Sequence, residues 1–231
     1  MATSLGIDFA AGKKRGKFIK AYARRLRLKK VKKRVSRVAK IKSDIKAKAK
    51  VIFTTGCIPA MIYGSEVTGI NGFELKTLQT LALSTMTPSG QGRSREMCLL
   101  LNWDPVWRPA TAPILQWVKA CWKVATGAYV GRGTADIGAL CKAWRELNEA
   151  GWPTWGAVRG PVGAYMASLK RIGWSSMDPL AIVDEHCTSR PILQLSPRLW
   201  GLFAKNAYFK QLELEVGKRF IGSEERVSLV T

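Results

Sequence analysis

Apolar residues recur through the first third of the chain at steps of three and four. Phe18, Tyr22 and Leu26 are four apart, and Leu28, Val31, Val35, Val38, Ile41, Ile45, Ala49 and Ile52 continue the series. That spacing lines one face of an α-helix. Arg24, Arg25, Arg27, Lys30, Lys33, Arg34, Arg37 and Lys40 occupy much of the remaining circumference. Neither Gly nor Pro interrupts Lys17 to Thr55, so the pattern predicts one helix of about 35 residues, about 50 Å long at the α-helical rise.

The register resets at Gly56-Cys57-Ile58-Pro59. Ala60 to Glu66 is a short apolar piece and Gly69 to Gly72 a turn. Phe73 to Met86 is helical in pattern, with Leu75, Leu78, Leu81 and Ala82 on one face. Thr87 to Ser94 reads as a loop. Its spacing matches neither a P-loop nor a dinucleotide fingerprint, so it reads as an ordinary loop with Ser94 as a candidate cap of the next helix, and a phosphate cradle built on its two glycines and Arg93 is the alternative. Asp104-Pro105 breaks the chain again.

Pro113 to Tyr129 predicts a helix burying Trp117, Cys121, Val124 and Ala128, and Gly131-Arg132-Gly133 reads as a hinge between two halves. Further helices are expected over 139–150 (Leu140, Trp144, Leu147), 162–172 and 197–220. The last of these offers Leu199, Leu202, Phe203, Ala207, Phe209 and Leu212 for burial. Asp178 to Ile192 is polar enough for a loop or a small hairpin, and the tail beyond Gly222 is expected to fray. Strand signals are few. The fold class is mostly α: a helical bundle led by a long basic helix over 13–126, then a smaller helical segment over 134–222, with 1–12 ahead and 223–231 as tail.

Charge changes this picture more than composition does. The chain has 231 residues, is 47% hydrophobic and carries nine Trp, enough for a packed body. Its formal charge is +22. Nineteen Lys and Arg lie between Lys13 and Lys50, opposed in the first fifty residues only by Asp8 and Asp44, so that segment holds +17 of the total. With acids nearly absent, the i,i+4 pairs that support a merely solvated helix are missing. Like charge this dense calls for a polyanion, nucleic acid first, with an anionic membrane or an acidic protein as alternatives. The candidate contacts are Lys13, Lys14, Arg15, Lys17, Lys20, Arg24, Arg25, Arg27, Lys30, Lys33, Arg34, Arg37, Lys40 and Arg93.

The longest apolar stretch, Val51 to Tyr63, is broken by Thr54, Thr55, Gly56 and Pro59, so no membrane span is expected. Five scattered cysteines with no CxxC pair read as buried reduced thiols. An intracellular setting, nuclear or cytoplasmic, follows. A mitochondrial presequence is the minor alternative, because the N-terminus is basic and acid-poor but too long and Lys-rich for one.

The search for catalysis returns nothing. Two-metal phosphoryl chemistry needs converging carboxylates, and the chain has no Asp-Asp. Its adjacent acids, Asp184-Glu185 and Glu224-Glu225, read as solvated charge. His186 is the sole histidine, and Asp184-Glu185-His186-Cys187 lacks zinc spacing. No catalytic residue, metal or cofactor is expected. The tryptophans read as core, with base stacking by Trp107 beside Arg108 or Trp155 near Arg159 as the alternative.

The ordered series Leu5-Gly6-Ile7-Asp8-Phe9, basic helix, Ile58-Pro59-Ala60-Met61-Ile62-Tyr63-Gly64-Ser65-Glu66, Gly92-Arg93-Ser94 and Asp104-Pro105 resembles the region downstream of the palm in non-LTR (LINE-type) retrotransposon reverse transcriptases. The match covers Leu5 to Trp122 and continues more loosely to Phe220. In that family an L-G-[IV] segment ends the palm and a basic helical thumb follows, so residues 1–12 would be the end of a palm. The fingers, palm aspartates and endonuclease belong upstream of Leu5, where this chain has only Met1-Ala2-Thr3-Ser4. The resemblance therefore implies a thumb-like module that grips RNA, an RNA–DNA hybrid or DNA through backbone phosphates. It implies no polymerase site in this chain, and an upstream polymerase domain in a longer parent protein. A basic structural component of a ribonucleoprotein particle is the alternative, and an enzyme of unfamiliar design a third.

Overall fold

The computed structural model describes residues 2–4, 7–9, 22–45, 47–86, 94–102, 104–127, 137–158 and 160–228. Two short strands, β1 (Ala2–Ser4) and β2 (Ile7–Phe9), pair antiparallel. The helices follow: α1 (Tyr22–Lys40), α2 (Lys42–Ile45), α3 (Lys48–Ile52), a π-helical turn (Phe53–Cys57), α4 (Ile58–Ile62), α5 (Ser65–Thr68), α6 (Gly72–Met86), α7 (Arg95–Leu101), α8 (Trp107–Ala125), α9 (Ile137–Glu149) and α10 (Pro161–Arg171). Strands β3 (Ser175–Asp178), β4 (Ala181–Val183) and β5 (Ser189–Pro191) come next, then α11 (Pro197–Ser228). The fold is mostly helical, as the periodicity indicates.

The leading helix is shorter than expected. Val31, Val35 and Val38 are buried on one face of α1, but Ile41, next in the apolar series, is 47% exposed. Here the Ile41 amide donates to Val38 O at 3.3 Å, a tighter turn than the α-helical one. Ser43 donates to the Asp44 carboxylate, and both α1 and α3 pack on α6. A straight rod of the expected length would leave the surface of α6. Bending keeps both helices on it, and the Lys42 and Lys50 ammonium groups fasten the bend by donating to Ser84 O and Asn102 O at 3.2 and 2.8 Å. Farther on, the hydroxyls of Thr54 and Thr55 donate back to Lys50 O and Val51 O. These bonds compete with the ladder, and the backbone opens into the π-turn that buries Phe53 and Cys57.

α6 starts on a reciprocal cap. Asn71 Oδ1 accepts from the Glu74 amide at 2.8 Å and Glu74 Oε2 accepts from the Asn71 amide at 3.2 Å. Asn71→Ala is expected to lower stability by about 1 kcal/mol, read as a shift of the urea midpoint without a change in slope. Ser94 caps α7 as expected, accepting from the Met97 amide. The glycine-rich loop before it (87–93) and the hinge at Gly131–Gly133 lie outside the described residues.

α8 is the central element and packs against α5, α10 and α11. It begins at Trp107, six residues ahead of the expected start, because Asp104 accepts from the Val106 amide at 2.9 Å and turns the chain into the helix. Pro109 stands in the first turn, where no donor is required, and Pro113 is tolerated within the helix. α10 is buried from Val162 through Leu169, a helix enclosed on all sides. Gly69, at φ +63°, lets α5 approach it closely; a Cβ there would collide with the Trp155 ring.

One apolar cluster includes Val31, Phe53, Ile114, Trp144, Met166, Ile182 and Trp200, and so joins both sides of the expected hinge. Of the tryptophans expected in the core, Trp117, Trp144, Trp174 and Trp200 are buried there, whereas Trp107, Trp122, Trp152 and Trp155 are half-buried and Trp103 lies outside the described residues. Trp117 stacks on Tyr165 at 4.9 Å and Trp174 meets Trp200 edge-on at 6.1 Å. Their indoles are tied down too, with Trp117 Nε1 donating to Pro179 O and Trp200 Nε1 to Ile192 O.

Residues 175–191 form a three-stranded antiparallel meander, β3-β4-β5, in place of a loop or single hairpin. Both of its turns rest on aspartates. Asp178 Oδ1 accepts from the Leu180 amide, and Asp184 Oδ1 from the amides of His186 and Thr188. α11 buries half of the expected apolar set, Ala207 and Leu212 fully and Phe209 in part, but its first turns face differently. Trp200, Ala204, Ala207, Tyr208, Leu212 and Val216 point inward, whereas Leu199, Leu202 and Phe203 are largely exposed. The large indole of Trp200 sets the rotation of the helix. Helical backbone continues to Ser228.

Candidate nucleic-acid interface

α1 carries the candidate surface. Ten of its 19 residues are Lys or Arg and none is acidic. With its valines against α6 and α4, the outer arc of the helix presents Lys29, Lys30, Lys32, Lys33, Arg34, Arg37 and Lys40, all exposed. At 100° per residue these cations spread over roughly 200° of the circumference. They lie along about 17 Å of axis, or one charge per about 2.4 Å, close to the roughly 1.7 Å per charge of duplex DNA. None of them is in an ion pair among the described residues. Lys29 and Lys32 were not singled out by the apolar spacing, although they belong to the same charge run.

Arg27 is engaged differently. Its Nη1 donates to Tyr63 O at 2.9 Å and its guanidinium carbon lies 5.1 Å from the centre of the Tyr63 ring. Arg24 and Arg25 fall within the backbone span of α1. Lys13, Lys14, Arg15, Lys17, Lys20 and Arg93 lie outside the described residues. Arg34 is close enough to Cys57 to pull its thiol pKa down, against the larger upward push of burial.

Cations elsewhere have other work. Arg171 donates to Ile70 O and Ala110 O and packs 4.1 Å from the Trp155 ring centre. Burial pulls its pKa down to about 10. Arg108 and Lys205 both lie 5.7 Å from the Trp107 ring. Trp155 therefore has Arg171 on its ring, while Arg159 lies outside the described residues.

No protein-family model, curated protein or solved structure matches this chain.

What the site can do is set by its own chemistry. Among the described residues no group of three or more His, Cys, Asp or Glu is arranged to hold a metal ion. His186 is exposed, with Lys210 Nζ 3.4 Å from its Nε2 and Glu185 nearby. Cys187 is exposed as well, at φ 59° in the β4–β5 turn, contrary to the expected burial of every thiol; the tight Asp184 turn leaves it no wall to pack on. Asp104 is the most enclosed carboxyl. Its Oδ2 accepts from Tyr208 Oη at 2.6 Å and Gln79 Nε2 at 3.0 Å, and its Oδ1 from the Val106 amide. Burial raises its pKa, and those three donors oppose the rise. With no exposed surface and its acceptors committed, Asp104 binds α6, α8 and α11 together. Among the described residues no helix is long and apolar enough to cross a membrane.

Proposed function

We propose that this chain binds nucleic acid electrostatically through the outer face of α1, gripping backbone phosphates without reading bases in a groove. The observation that carries the proposal is the row of exposed cations from Lys29 to Lys40, with no acid on the helix and no ion pair among the described residues. A bare row of this density repels itself: neighbours four apart, such as Lys29 and Lys33, or Lys33 and Arg37, each cost a few tenths of a kcal/mol. A polyanion removes that penalty and gains entropy by shedding its counterions. Phosphates fit a row of long flexible side chains, whereas base-edge readout would need rigid bidentate donors.

The order of motifs from Leu5 to Pro105 supports a descent from LINE-type reverse transcriptases, with this chain as a thumb-like, non-catalytic part that holds RNA or a template–primer duplex. The chain has no Asp-Asp pair with which to polymerise.

Salt titration tests the phosphate grip. If about six basic side chains neutralise phosphates, log affinity should fall against log salt with a slope of about −4 to −5. An affinity that stays flat between low and moderate salt would sink the proposal.

A further inference from the structure

The link between α4 and α5 positions an aromatic ring beside the cationic row. Tyr63 has φ −51° and ψ 121°, and Gly64 follows with φ 81° and ψ 2°. These are the angles of a type II turn, whose third position requires a positive φ and so favours glycine. The turn holds Tyr63 outward, 47% exposed, at the edge of α1. Arg27 fastens it twice, by the hydrogen bond from Nη1 to Tyr63 O and by its guanidinium over the ring, 5.1 Å from the centre. Arg27, Lys30 and Arg34 follow at i, i+3 and i+7, hence along one side of α1. A strand whose phosphates run along Lys30 and Arg34 would bring its bases past the open part of the Tyr63 ring.

We infer that Tyr63, backed by Arg27, is a stacking platform for an unpaired nucleobase, so that the preferred ligand contains single-stranded nucleotides. The inference rests on the phosphate-binding role of α1. Bases in a duplex have their faces covered by neighbouring pairs, and only an unpaired base offers a free face to an aromatic ring. The guanidinium on the other side of the ring completes an Arg–Tyr–base sandwich, a cation–π contact that polarises the ring. Stacking tolerates any base, which suits a site that has no base-edge donors.

The test uses the full chain and two single-stranded oligonucleotides of equal length, one carrying 2-aminopurine and ordinary bases, the other abasic throughout. The wild-type protein should prefer the base-bearing strand by about 10-fold and quench the 2-aminopurine emission. Tyr63→Leu, which keeps apolar bulk at an exposed turn, should lose the preference and the quenching while retaining the salt slope. Tyr63→Phe should keep all three. A Tyr63→Leu protein that still prefers the base-bearing strand overturns the stacking inference and leaves the phosphate grip standing. Wild-type protein that binds neither strand in a salt-dependent way overturns both.

Discussion

Replacing Lys30, Lys33, Arg34 and Arg37 together with Gln is expected to weaken oligonucleotide binding by at least about 100-fold near 0.1 M salt, and to flatten the salt slope by about 3. All four side chains are exposed on α1, whereas Val31, Val35 and Val38 form the buried face that packs into the core. Gln has nearly the helix propensity of Lys and Arg, so circular dichroism should be unchanged. Melting should hold or rise slightly, because like-charged neighbours have been removed. The combination of an intact fold with lost affinity is the decisive result. Full affinity in the variant would move the interface to another surface. Unchanged binding to anionic vesicles alongside weak oligonucleotide binding by the wild type would favour a membrane partner.

The second large effect lies in the interior. Asp104→Ala is expected to cost about 3 kcal/mol of stability, because it strands the Tyr208 hydroxyl and the Val106 amide in the interior and leaves Gln79 Nε2 only its bond to Tyr208 Oη. Tyr208→Phe removes two bonds, the one its hydroxyl donates to Asp104 Oδ2 and the one it accepts from Gln79 Nε2, and should cost about 2 kcal/mol. Asp104→Asn is not neutral either, since its amide would set a donor against the Val106 amide or against Tyr208 and Gln79. Stability should also depend on pH through this group. Burial raises the folded-state pKa of Asp104 above its unfolded value, so the folded state holds the proton longer. The contribution is therefore most favourable below the ordinary carboxylate pKa, and declines as pH rises from there through the raised folded value. Urea midpoints measured across that window should show this decline in the wild type and lose it in Asp104→Asn. An Asp104→Ala protein as stable as wild type would remove the network from the account of how α6, α8 and α11 are held.

How much of this was legible beforehand differs from element to element. The spacing of Val31, Val35 and Val38 marks the buried face of α1, and the charge run marks its outer face, because helical period and polarity are local properties. The end of α1 is not local. The break at Ile41 depends on keeping α3 on α6, with Lys42 and Lys50 reaching carbonyls at Ser84 and Asn102 that lie 42 and 52 residues away. Those two lysines look identical in sequence to Lys30 or Lys33, yet they tether the fold. α11 offers two apolar stripes of similar period, and only the packing of Trp200 against Trp174 and Ile192 selects one.

The candidate site divides in the same way. Tyr63 stands in the sequence only as part of the Ile58–Glu66 motif, which says nothing of a ring beside the basic face, and its relation to Arg27 spans 36 residues. By itself the sequence determined the helical character of the chain, the strength and sign of its charge, the stretch that carries that charge, and the lack of paired aspartates. These follow from composition and from short-range periodicity. Tertiary structure alone decided which cations stay in solvent, where the long helix bends, that 175–191 forms a sheet, and that an aromatic ring stands beside the basic face. Each of those depends on contacts between residues far apart in the chain, where burial and hydrogen-bond satisfaction outweigh local preference.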